Sequence, residues 1–587
     1  MLSKKTFTLA IRATALIAVA AAQAASAQDD GVTVEYNVAA KMRDGVTLRA
    51  DIYRHKADGK YPVLLERTPY DRSNQRSIGI RGAARGYVVI VQDVRGRFAS
   101  EGEWYPFRNE SQDGYDSIEW AAALPYANGK VGMFGGSYVG ATQFLAAVAA
   151  PPHLAGIFPV VTASNYHDGW AYQGGALEQW FDQSWTTGLS QDTLRRKVAD
   201  ESNALNWKDI LPLRSFPIAK VADPTAAAPY YRDWLAHPNY DDYWKQISIE
   251  EQYGKIQVPV FNVAAWYDIF LGGSLRNYVL LKTKAGSEAA RRGQRLAVTI
   301  GGHSGDGRKI GEVDFGAEAL KDDGDAIMLD WYDAILRGNS NALASSKPVR
   351  IFVMGRNEWR DEEDWPLARA KSTPYYLSSG GHANSSAGKG ALSASQTKGE
   401  AKDSYVYDPA HAVPTVGGPL CCDWVHLQPG PRDQAKVESR DDVLVYTTAA
   451  FEQETEVTGP VTLDLYASTS AVDTDFTAKL VDLWPNGFAQ NLTEGILRLR
   501  YRNSQAQPEP AMPGEIYRLT VDLWATSNVF LAGHKLRLEI SSSNFPRFDR
   551  NLNTGEDQAI GTKMKVATNT IYHDTAHPSA LLLPIVP

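Results

Sequence analysis

Short apolar runs alternate with helical stretches between residues 32 and 166 of the chain. Two of the runs, 61–66 and 87–91, are continuous, as is typical of strands buried on both faces of a largely parallel sheet. The alternation predicts an α/β layered domain. The other predicted elements are strands at 34–36, 48–53 and 131–134, and helices at 77–86 and 113–124.

The pattern changes after residue 165. Aromatic residues become dense, and helical stretches replace the apolar runs as far as residue 254, which predicts a helical insertion. Strand character returns at 258–263 and 295–300, so the α/β domain is predicted to resume there. The aromatic residues at the start of the insertion are Trp170, Tyr172, Trp180, Phe181 and Trp185.

The C-terminal part of the chain has a different periodicity. Residues 378–403 are rich in Gly, Ser, Ala and Lys and have little to bury, so they are predicted to form a linker. Beyond them apolar and polar residues alternate, which predicts an all-β sandwich or jelly roll. Examples of the alternating apolar positions are Val461, Leu463, Leu465 and Ala467, then Leu519, Val521 and Leu523, and then Leu536, Leu538 and Ile540.

The segment 130–141 carries a catalytic pattern. A predicted strand runs into a glycine-flanked serine, Ser137, and a helix of small residues follows. This arrangement predicts a nucleophile elbow, in which a strained turn exposes the serine and the helix start offers N–H groups to an oxyanion. The usual pattern is G-x-S-x-G, whereas this chain has Val139 at the second position after the serine and glycine one position later, at Gly140.

A nucleophilic serine in such a fold needs a carboxylate and a histidine further along the chain, each placed after a strand. His303 lies in a glycine-rich loop directly after the predicted strand at 295–300. Asp268 follows the strand at 258–263 and has bulky apolar neighbours, which makes a solvated surface role awkward. Asp306 is a rival acid but is too close to His303 to lie on a separate strand, and a helix N-cap is the alternative role for Asp268.

The first 27 residues have the features of a secretory signal peptide. Lys4, Lys5 and Arg12 precede or open an alanine-rich apolar stretch that ends in small residues at 25–27, as a signal peptidase requires. The alternative is a membrane anchor, which the short apolar run disfavours. No later segment approaches the roughly 18–20 apolar residues of a spanning helix. We therefore expect an exported protein, periplasmic or secreted, without a membrane span.

Composition bears on partners and redox chemistry. The 60 basic and 68 acidic residues give a formal net charge of −8 without basic clusters, which argues against nucleic acid as a partner. The two cysteines, Cys421 and Cys422, are adjacent and cannot link distant parts of the chain. They form either a vicinal disulfide or two unpaired thiols in a loop, and the sequence leaves both open.

Several motifs resemble those of the CocE/NonD hydrolases, a family that includes cocaine esterase, α-amino-acid ester hydrolases and X-Pro dipeptidyl-peptidases. The elbow G-G-S-Y-V-G at 135–140 is similar to that family's G-x-S-Y-x-G pattern. The loop before His303 departs from it, because relatives often read G-P-W-x-H where this chain has Gly301-Gly302-His303. The other similar segments are R-T-P-Y at 67–70, Q-D-V-R-G-R at 92–97, D-T-D-F-T-A-K-L at 473–480, G-H-K-L-R at 533–537 and S-S-S-N-F-P-R at 541–547.

The resemblance implies a three-part architecture after the signal peptide at 1–27. An α/β-hydrolase core is expected at 28–165 and 255–372, with a helical cap inserted at 166–254. A C-terminal all-β jelly-roll domain is expected at 373–587.

The resemblance also implies functional residues. It gives the triad Ser137, Asp268 and His303, the same residues that the order of strands selects. It further implies that the Tyr70 hydroxyl and the backbone N–H of Tyr138 stabilise the oxyanion. We expect no metal or organic cofactor. The residues expected to line the substrate pocket are Trp170, Trp180, Phe181 and Trp266.

These features predict a secreted serine hydrolase that cleaves carboxylic esters or related acyl bonds of a small molecule through an acyl-enzyme. An α-amino-acid ester hydrolase or β-lactam acylase is one alternative. Glu178 and Asp182 could hold a substrate ammonium group, but segment 272–278 lacks the acidic pair of those relatives. A dipeptidyl-peptidase-type amide hydrolase and a carbohydrate-binding protein with an inactive core are further alternatives. The natural substrate and any homo-oligomer are left open.

Overall fold

The computed structural model describes residues 31–203, 227–303, 307–321, 323–343, 346–396, 402–422 and 425–587. The predicted signal peptide and Asp306 lie outside these residues. Two large sheets organise the described chain, one in an α/β-hydrolase core and one in a C-terminal all-β domain. None of the described helices is long and apolar enough to cross a lipid bilayer.

The first part of the core is built from two antiparallel strands followed by βα units. All six residues of the strand Val88–Asp93 are buried, which explains its continuous apolar run. The elements are β1 (Val32–Lys41), β2 (Thr47–His55), β3 (Tyr61–Thr68), α1 (Arg76–Ala84), β4 (Val88–Asp93), α2 (Glu110–Ala122), β5 (Ala127–Gly136), α3 (Tyr138–Val148) and β6 (Leu154–Val160).

The cap that follows is mainly helical. It opens with a two-residue hairpin, which is too short to leave an alternating pattern in the sequence. Its second described helix begins at Pro229, where the missing N–H of proline would have no intrahelical partner in any case. The elements are β7 (Tyr172–Gln173), β8 (Ala176–Leu177), α4 (Gln179–Asn203), α5 (Pro229–Ala236) and α6 (Asp242–Lys245).

The chain then returns to the core and completes its sheet. The remaining elements are β9 (Phe261–Tyr267), α7 (Leu271–Lys284), α8 (Glu288–Arg292), β10 (Arg295–Gly302), β11 (Lys309–Ile310), β12 (Val313–Asp314), α9 (Gly324–Arg337), β13 (Val349–Val353) and β14 (Glu358–Glu362). The strand order in the described chain is β1-β2-β4-β3-β5-β6-β9-β10-β13-β14, and the strands from β4 to β13 run parallel. Parallel strands end at one edge, so the loops after β3, β5, β9 and β10 meet there.

Helices cover both faces of the core sheet. Successive residues of β5 face opposite sides, so Met133 packs in the cluster that contains α2 and α3, and Phe134 packs in the cluster that contains α1 and α9. The nucleophile elbow therefore has α3 behind it on one face and the space between α1 and α9 on the other.

The C-terminal domain is a strongly paired β structure. Its longest described strand, Thr455–Thr469, buries Val461, Leu463 and Leu465 on one face, as the alternation predicts. The elements are β15 (Lys371–Ser378), β16 (Gly390–Ser393), β17 (Lys402–Tyr407), α10 (Ala435–Glu438), β18 (Leu444–Thr447), β19 (Thr455–Thr469), β20 (Asp475–Leu483), β21 (Ala489–Arg498), β22 (Tyr517–Phe530), β23 (Lys535–Ser541), β24 (Ala567–Tyr572) and β25 (Ala580–Val586).

The strands of this domain form one described sheet in the order β17-β24-β19-β25-β15-β16-β18-β23-β20-β21, with β22 paired to β19. The prediction of a linker at 378–403 is wrong, because β16 lies within it and pairs with β15 and β18. Ala383 and Leu392 are buried there. Small and polar residues predicted a linker, but the described strand β16 lies in the middle of the sheet, where a few buried side chains suffice.

The core, the cap and the β domain are joined by direct contacts. The Met354 N–H after β13 donates to the Ser527 carbonyl at 3.0 Å, and the Val529 N–H donates back to the Met354 carbonyl at 2.9 Å. In the cap, Gln173 accepts from the buried Arg547 guanidinium of the β domain at 2.9 Å. The β domain therefore forms part of the frame around the carboxyl end of the core sheet.

Candidate active site

Ser137 occupies a strained turn between β5 and α3. Its backbone has φ 60° and ψ −128°, a region that residues with a side chain rarely adopt. The Ser137 N–H donates to the Val160 carbonyl of the neighbouring strand at 2.9 Å, which fixes the turn on the sheet. The structure therefore has the sharp strand-to-helix turn that the glycine-flanked serine predicts.

The glycines around the serine leave room for the close packing of helix α3. A Cβ on Gly135 would lie 2.3 Å from Cγ1 of Val139, and a Cβ on Gly140 would lie 2.7 Å from Cβ of Thr162. Helix α3 therefore approaches the strand closely at both glycines. This contact explains why the second glycine stands one position later than in the usual pattern, because the residue that packs against Thr162 is at 140.

The sheet register places Asp268 beside His303. Tyr267 and Gly302, the last residues of β9 and β10, are partners in the parallel ladder. Asp268 directly follows β9 and His303 directly follows β10, so the two side chains lie at the same level at the ends of adjacent strands. Nδ1 of His303 lies 2.6 Å from Oδ2 of Asp268, and Nε2 of His303 lies 2.8 Å from Oγ of Ser137.

The hydrogen-bonded series from Asp268 through His303 to Ser137 is largely shielded from solvent. The Asp268 side chain is fully buried and the His303 side chain is 8% exposed. The other carboxylate oxygen of Asp268 accepts from the Phe270 N–H at 2.7 Å. Asp268 is not the N-cap of α7, since that position is held by Phe270. Its carboxylate is thus satisfied by one backbone donor and one imidazole, as an orienting group for a histidine base requires.

Tyr70 lies on the other side of the serine. Its hydroxyl accepts from the Trp185 indole N–H of the cap at 3.0 Å and also interacts with Ser137 and the backbone of Tyr138. Burial raises the pKa of Tyr70, and these hydrogen bonds oppose the rise. The hydroxyl therefore keeps its proton at neutral pH and lies beside Ser137, with Trp185 as one of its donors.

The Tyr138 side chain has a structural position. It is fully buried, its hydroxyl donates to Oε1 of Glu110 at 2.9 Å, and that hydroxyl accepts from the Phe107 N–H at 2.8 Å. Glu110 also forms a buried ion pair with Arg67 at 2.9 Å. Only the backbone N–H of Tyr138, at the start of α3, is available to an oxyanion. The network around Glu110 ties α2, α3 and the strand before Tyr70 together.

Arg97, which the site prediction omitted, holds the Tyr70 loop against the cap. Its buried guanidinium donates to the Pro69 carbonyl at 3.0 Å and to the Leu189 carbonyl of α4 at 2.9 Å, and it lies 3.8 Å from Asp192. The residue belongs to the Q-D-V-R-G-R segment, so the sequence did contain a signal for it. A pocket of about 520 Å³ opens here between the Tyr70 loop and α4.

The aromatic residues predicted to line the pocket occupy different positions. Trp170 is fully buried and stacks on Phe270, whose ring contacts the His303 ring edge-on at 5.1 Å between centroids. Phe181 also packs on Phe270, at 5.5 Å. Both therefore form the wall behind His303. Trp180 is partly buried, and its ring lies 6.5 Å from that of His426 in the β domain.

The prediction for Trp266 is wrong. Its indole N–H donates to the Phe352 carbonyl at 2.7 Å and its ring packs against Trp365, in the core shared with the β domain. A continuous apolar strand does not reveal which residues face a pocket, because both of its faces are buried.

The adjacent cysteines form a vicinal disulfide. Cys421 is buried in the cluster that contains Trp170, Phe181 and Trp185, and Cys422 lines the pocket beside Tyr70. The β domain therefore contributes a wall to this pocket. The sequence left the disulfide open and gave no reason to place it near the serine.

Comparisons with known proteins agree with this architecture. The X-Pro dipeptidyl-peptidase S15 family profile matches residues 44–305, and the profile of the X-Pro dipeptidyl-peptidase C-terminal non-catalytic domain matches residues 341–582. Cocaine esterase from Rhodococcus sp. (strain MB1 Bresler) is 40% identical over 583 residues, covering 95% of this chain and 99% of the relative.

Two solved structures share the fold. An α-amino acid ester hydrolase superposes with a TM-score of 0.76 at 24% identity, covering 95% of this chain and 98% of that one. A CocE/NonD family hydrolase from Staphylococcus aureus gives a TM-score of 0.68 at 20% identity, with 95% and 94% covered. The full-length similarity to an esterase and the shared fold lead to one assignment. The chain belongs to the CocE/NonD family and is a serine-type ester hydrolase of that family.

Proposed function

We propose that the protein is an exported esterase that hydrolyses small carboxylic esters through an acyl-enzyme on Ser137. The observation that carries the proposal is the hydrogen-bonded series from Asp268 through His303 to Ser137, with 2.6 Å and 2.8 Å between the paired atoms. A buried carboxylate, an imidazole and a strained serine in this order are the parts that nucleophilic acyl transfer needs.

In the first half of the proposed reaction, Nε2 of His303 takes the hydroxyl proton as Oγ of Ser137 attacks the ester carbonyl. Asp268 holds the Nδ1 proton and stabilises the imidazolium that forms. The tetrahedral intermediate then collapses, and the C–O bond to the alcohol breaks. The imidazolium gives its proton to the leaving alkoxide, so the alcohol departs neutral and the acyl group stays on Ser137.

The oxyanion receives hydrogen bonds from the Tyr70 hydroxyl and the backbone N–H of Tyr138. Trp185 and Arg97 hold the Tyr70 side of this proposed site, and Glu110 anchors the Tyr138 side chain. Donors that need no reorganisation lower the barrier most, and one such donor contributes on the order of 10²–10³ in rate. In the second half, His303 takes a proton from a water molecule as its oxygen attacks the acyl carbon. The bond between that carbon and Oγ of Ser137 then breaks, the imidazolium returns the proton to Oγ, and the carboxylic acid leaves.

The pocket beside Tyr70 offers an apolar side to a compact group in the ester. Its described apolar lining consists of Trp185, Phe98, Leu189 and the disulfide residue Cys422. Its other lining residues include Ser184, Gln191, Asp192 and Arg195. Arg97 also lines it, but its guanidinium is already engaged by the carbonyls of Pro69 and Leu189. Aromatic acyl esters are therefore the first substrates to try, and cocaine is a direct trial because a relative carries the name cocaine esterase.

The two cap carboxylates differ in how they bear on the amino-ester alternative. Glu178 is paired with Arg547 at 3.4 Å, so it has a cationic partner without a substrate ammonium, whereas neither carboxylate oxygen of Asp182 has a hydrogen bond within the described chain. We expect similar rates for phenylacetate methyl ester and phenylglycine methyl ester. A strong preference for the phenylglycine ester would favour the alternative.

The proposal of export rests on the N-terminal sequence, with its basic residues, alanine-rich run and Ala25-Ser26-Ala27 site. N-terminal sequencing of protein recovered from the periplasm or medium is expected to begin at Gln28. Recovery of the uncleaved chain from the cytosol would contradict it.

The catalytic proposal is tested by labelling with a fluorophosphonate probe. The wild-type enzyme is expected to incorporate one label, on the peptide that contains Ser137, and Ser137→Ala none. Ser164→Ala is the matched control, because that buried serine hydroxyl donates to Glu250 and lies outside the proposed machinery. Equal labelling of wild type and Ser137→Ala would contradict the proposal.

A further inference from the structure

A second cavity of about 590 Å³ lies on the face of the core sheet opposite α3. It opens between α1 and α9 and reaches the loop that carries His303. We call it the rear cavity. Its apolar lining residues are Ile78, Phe134, Phe158, Val160, Val161, Val263, Ala265, Ala297, Ile327 and Met328. Its volume falls within the range of about 300–1,000 Å³ that is usual for small-molecule sites.

The rear cavity contains a buried carboxyl group that lacks a full set of partners. Glu66 on β3 is 2% exposed and lines the cavity, and its Oε1 has no hydrogen bond within the described chain. Its Cγ would lie 3.5 Å from a Cβ on Gly135, so Glu66 packs directly against the serine turn. A buried carboxyl with an open oxygen is unfavourable unless a donor or a cation reaches it.

The charged side chains that line the cavity are mainly carboxylates. Besides Glu66, Asp323 and Asp325 line it, and both pair with Arg81, which is not among the described lining residues. The described lining residues include no lysine or arginine, and His303 is their only basic side chain. Burial raises the pKa of Glu66 to about 8, opposed by a hydrogen bond from Gln75. A cation beside the carboxyl would reverse that shift by favouring the ionised form.

We propose that the rear cavity is a second ligand site that binds a small apolar amine, with the ammonium group on Glu66 and the hydrocarbon body on the aromatic and aliphatic floor. This site is distinct from the pocket beside Tyr70, because the described linings of the two share no residue. It goes beyond ester hydrolysis, since nothing in the proposed reaction uses Glu66.

The test measures binding to enzyme whose Ser137 has first been blocked with phenylmethylsulfonyl fluoride, so that the ester pocket is occupied. Isothermal titration calorimetry with 3-phenylpropylamine, 3-phenylpropanol and 3-phenylpropionate compares three probes of one shape. We expect the amine to bind about tenfold or more tightly than the alcohol, and the carboxylate to bind least. Equal binding of amine and alcohol, or no binding of the amine, would overturn the proposal.

Two variants locate the site. Glu66→Gln is expected to bind the amine and the alcohol within about threefold of each other, while Glu318→Gln, an exposed carboxylate paired with Lys321, keeps the wild-type preference. Ala297→Leu, which extends a floor residue into the cavity, should weaken all probes that bind there. Wild-type preference for the amine in Glu66→Gln, together with wild-type affinity for all probes in Ala297→Leu, would refute the site. The wild-type comparison of probes decides the matter even if one variant fails to fold.

Discussion

The indole N–H of Trp185, on cap helix α4, donates to the Tyr70 hydroxyl of the core at 3.0 Å. This bond holds the hydroxyl beside Ser137, where the proposed mechanism needs its proton to face the oxyanion. The cap therefore does more than enclose the substrate, because it sets the orientation of a proposed transition-state donor.

Trp185→Phe should lower kcat about tenfold with a smaller change in KM, since a lost orienting bond of about 1.4 kcal/mol acts mainly in the transition state. Tyr70→Phe should lower kcat by about 10²–10³. Because Trp185 acts through Tyr70, adding Trp185→Phe to the Tyr70→Phe variant should lower kcat little further. Trp120→Phe, on α2, is the control and should remain near wild type. Additive losses in the double variant would contradict the coupling.

Gly140→Ala should destabilise the protein and reduce activity together. The added methyl group would lie 2.7 Å from Cβ of Thr162, and overpacking of a close helix–strand contact costs about 1–3 kcal/mol in free energy of unfolding. Gly188→Ala on α4 is the matched control. A Cβ there meets no atom within 4 Å, and replacing a glycine inside a helix by alanine favours the helix. Urea unfolding should show opposite signs for the two variants. A Gly140→Ala protein as stable as wild type would disprove the packing argument.

Asp182→Asn should stabilise the protein at pH 8 and have little effect near pH 4. Asp182 is fully buried, neither carboxylate oxygen has a hydrogen bond within the described chain, and burial raises its pKa well above the ordinary value. Because the unfolded chain ionises this group at about pH 4, the folded state loses stability as the pH rises above that value. The amide removes this loss, a gain of about 1–3 kcal/mol in free energy of unfolding.

Asp192→Asn on the same helix provides the contrast. Its carboxylate accepts from the Phe98 N–H at 3.0 Å and from Arg195 at 2.6 Å, so this substitution should destabilise at pH 8. Urea midpoints at pH 5 and pH 8 check both variants. A stability gain for Asp182→Asn that does not grow with pH would contradict the electrostatic explanation.

The vicinal disulfide predicts a simple labelling result. The chain contains two cysteines, and both are joined in the structure. Denatured protein that has not been reduced should therefore take up no iodoacetamide, and two carbamidomethyl groups should appear after reduction. Because Cys422 lines the pocket beside Tyr70, KM for aromatic esters should change more than kcat in Cys421→Ser/Cys422→Ser. Labelling without reduction would show two free thiols.

The sequence predicted the fold class and the residues of the hydrogen-bonded series because both follow from local patterns. The apolar strand runs before Asp268 and His303 indicate that both residues lie at one edge of a parallel sheet. The glycines on both sides of Ser137 identify it as the candidate nucleophile. The family is confirmed by full-length similarity to an esterase. The catalytic roles of Ser137, Asp268 and His303 remain predictions until they are measured.

The local sequence patterns could not predict contacts between distant segments of the chain. Trp185 and Tyr70 are 115 positions apart, and their pairing depends on how the cap lies on the core. Cys422 reaches the pocket only because the β domain packs there. Trp266 was misplaced because its strand is apolar on both faces. The composition of 378–403 gave no sign that β16 completes a sheet.

Rapid-quench mass spectrometry tests the central claim most directly. The enzyme is mixed with excess p-nitrophenyl benzoate, quenched in acid within milliseconds and digested. The account predicts a benzoyl adduct on the peptide that contains Ser137, formed at the rate of the p-nitrophenol burst and absent from Ser137→Ala. Steady hydrolysis by Ser137→Ala at the wild-type rate, or an adduct on another residue, would contradict it.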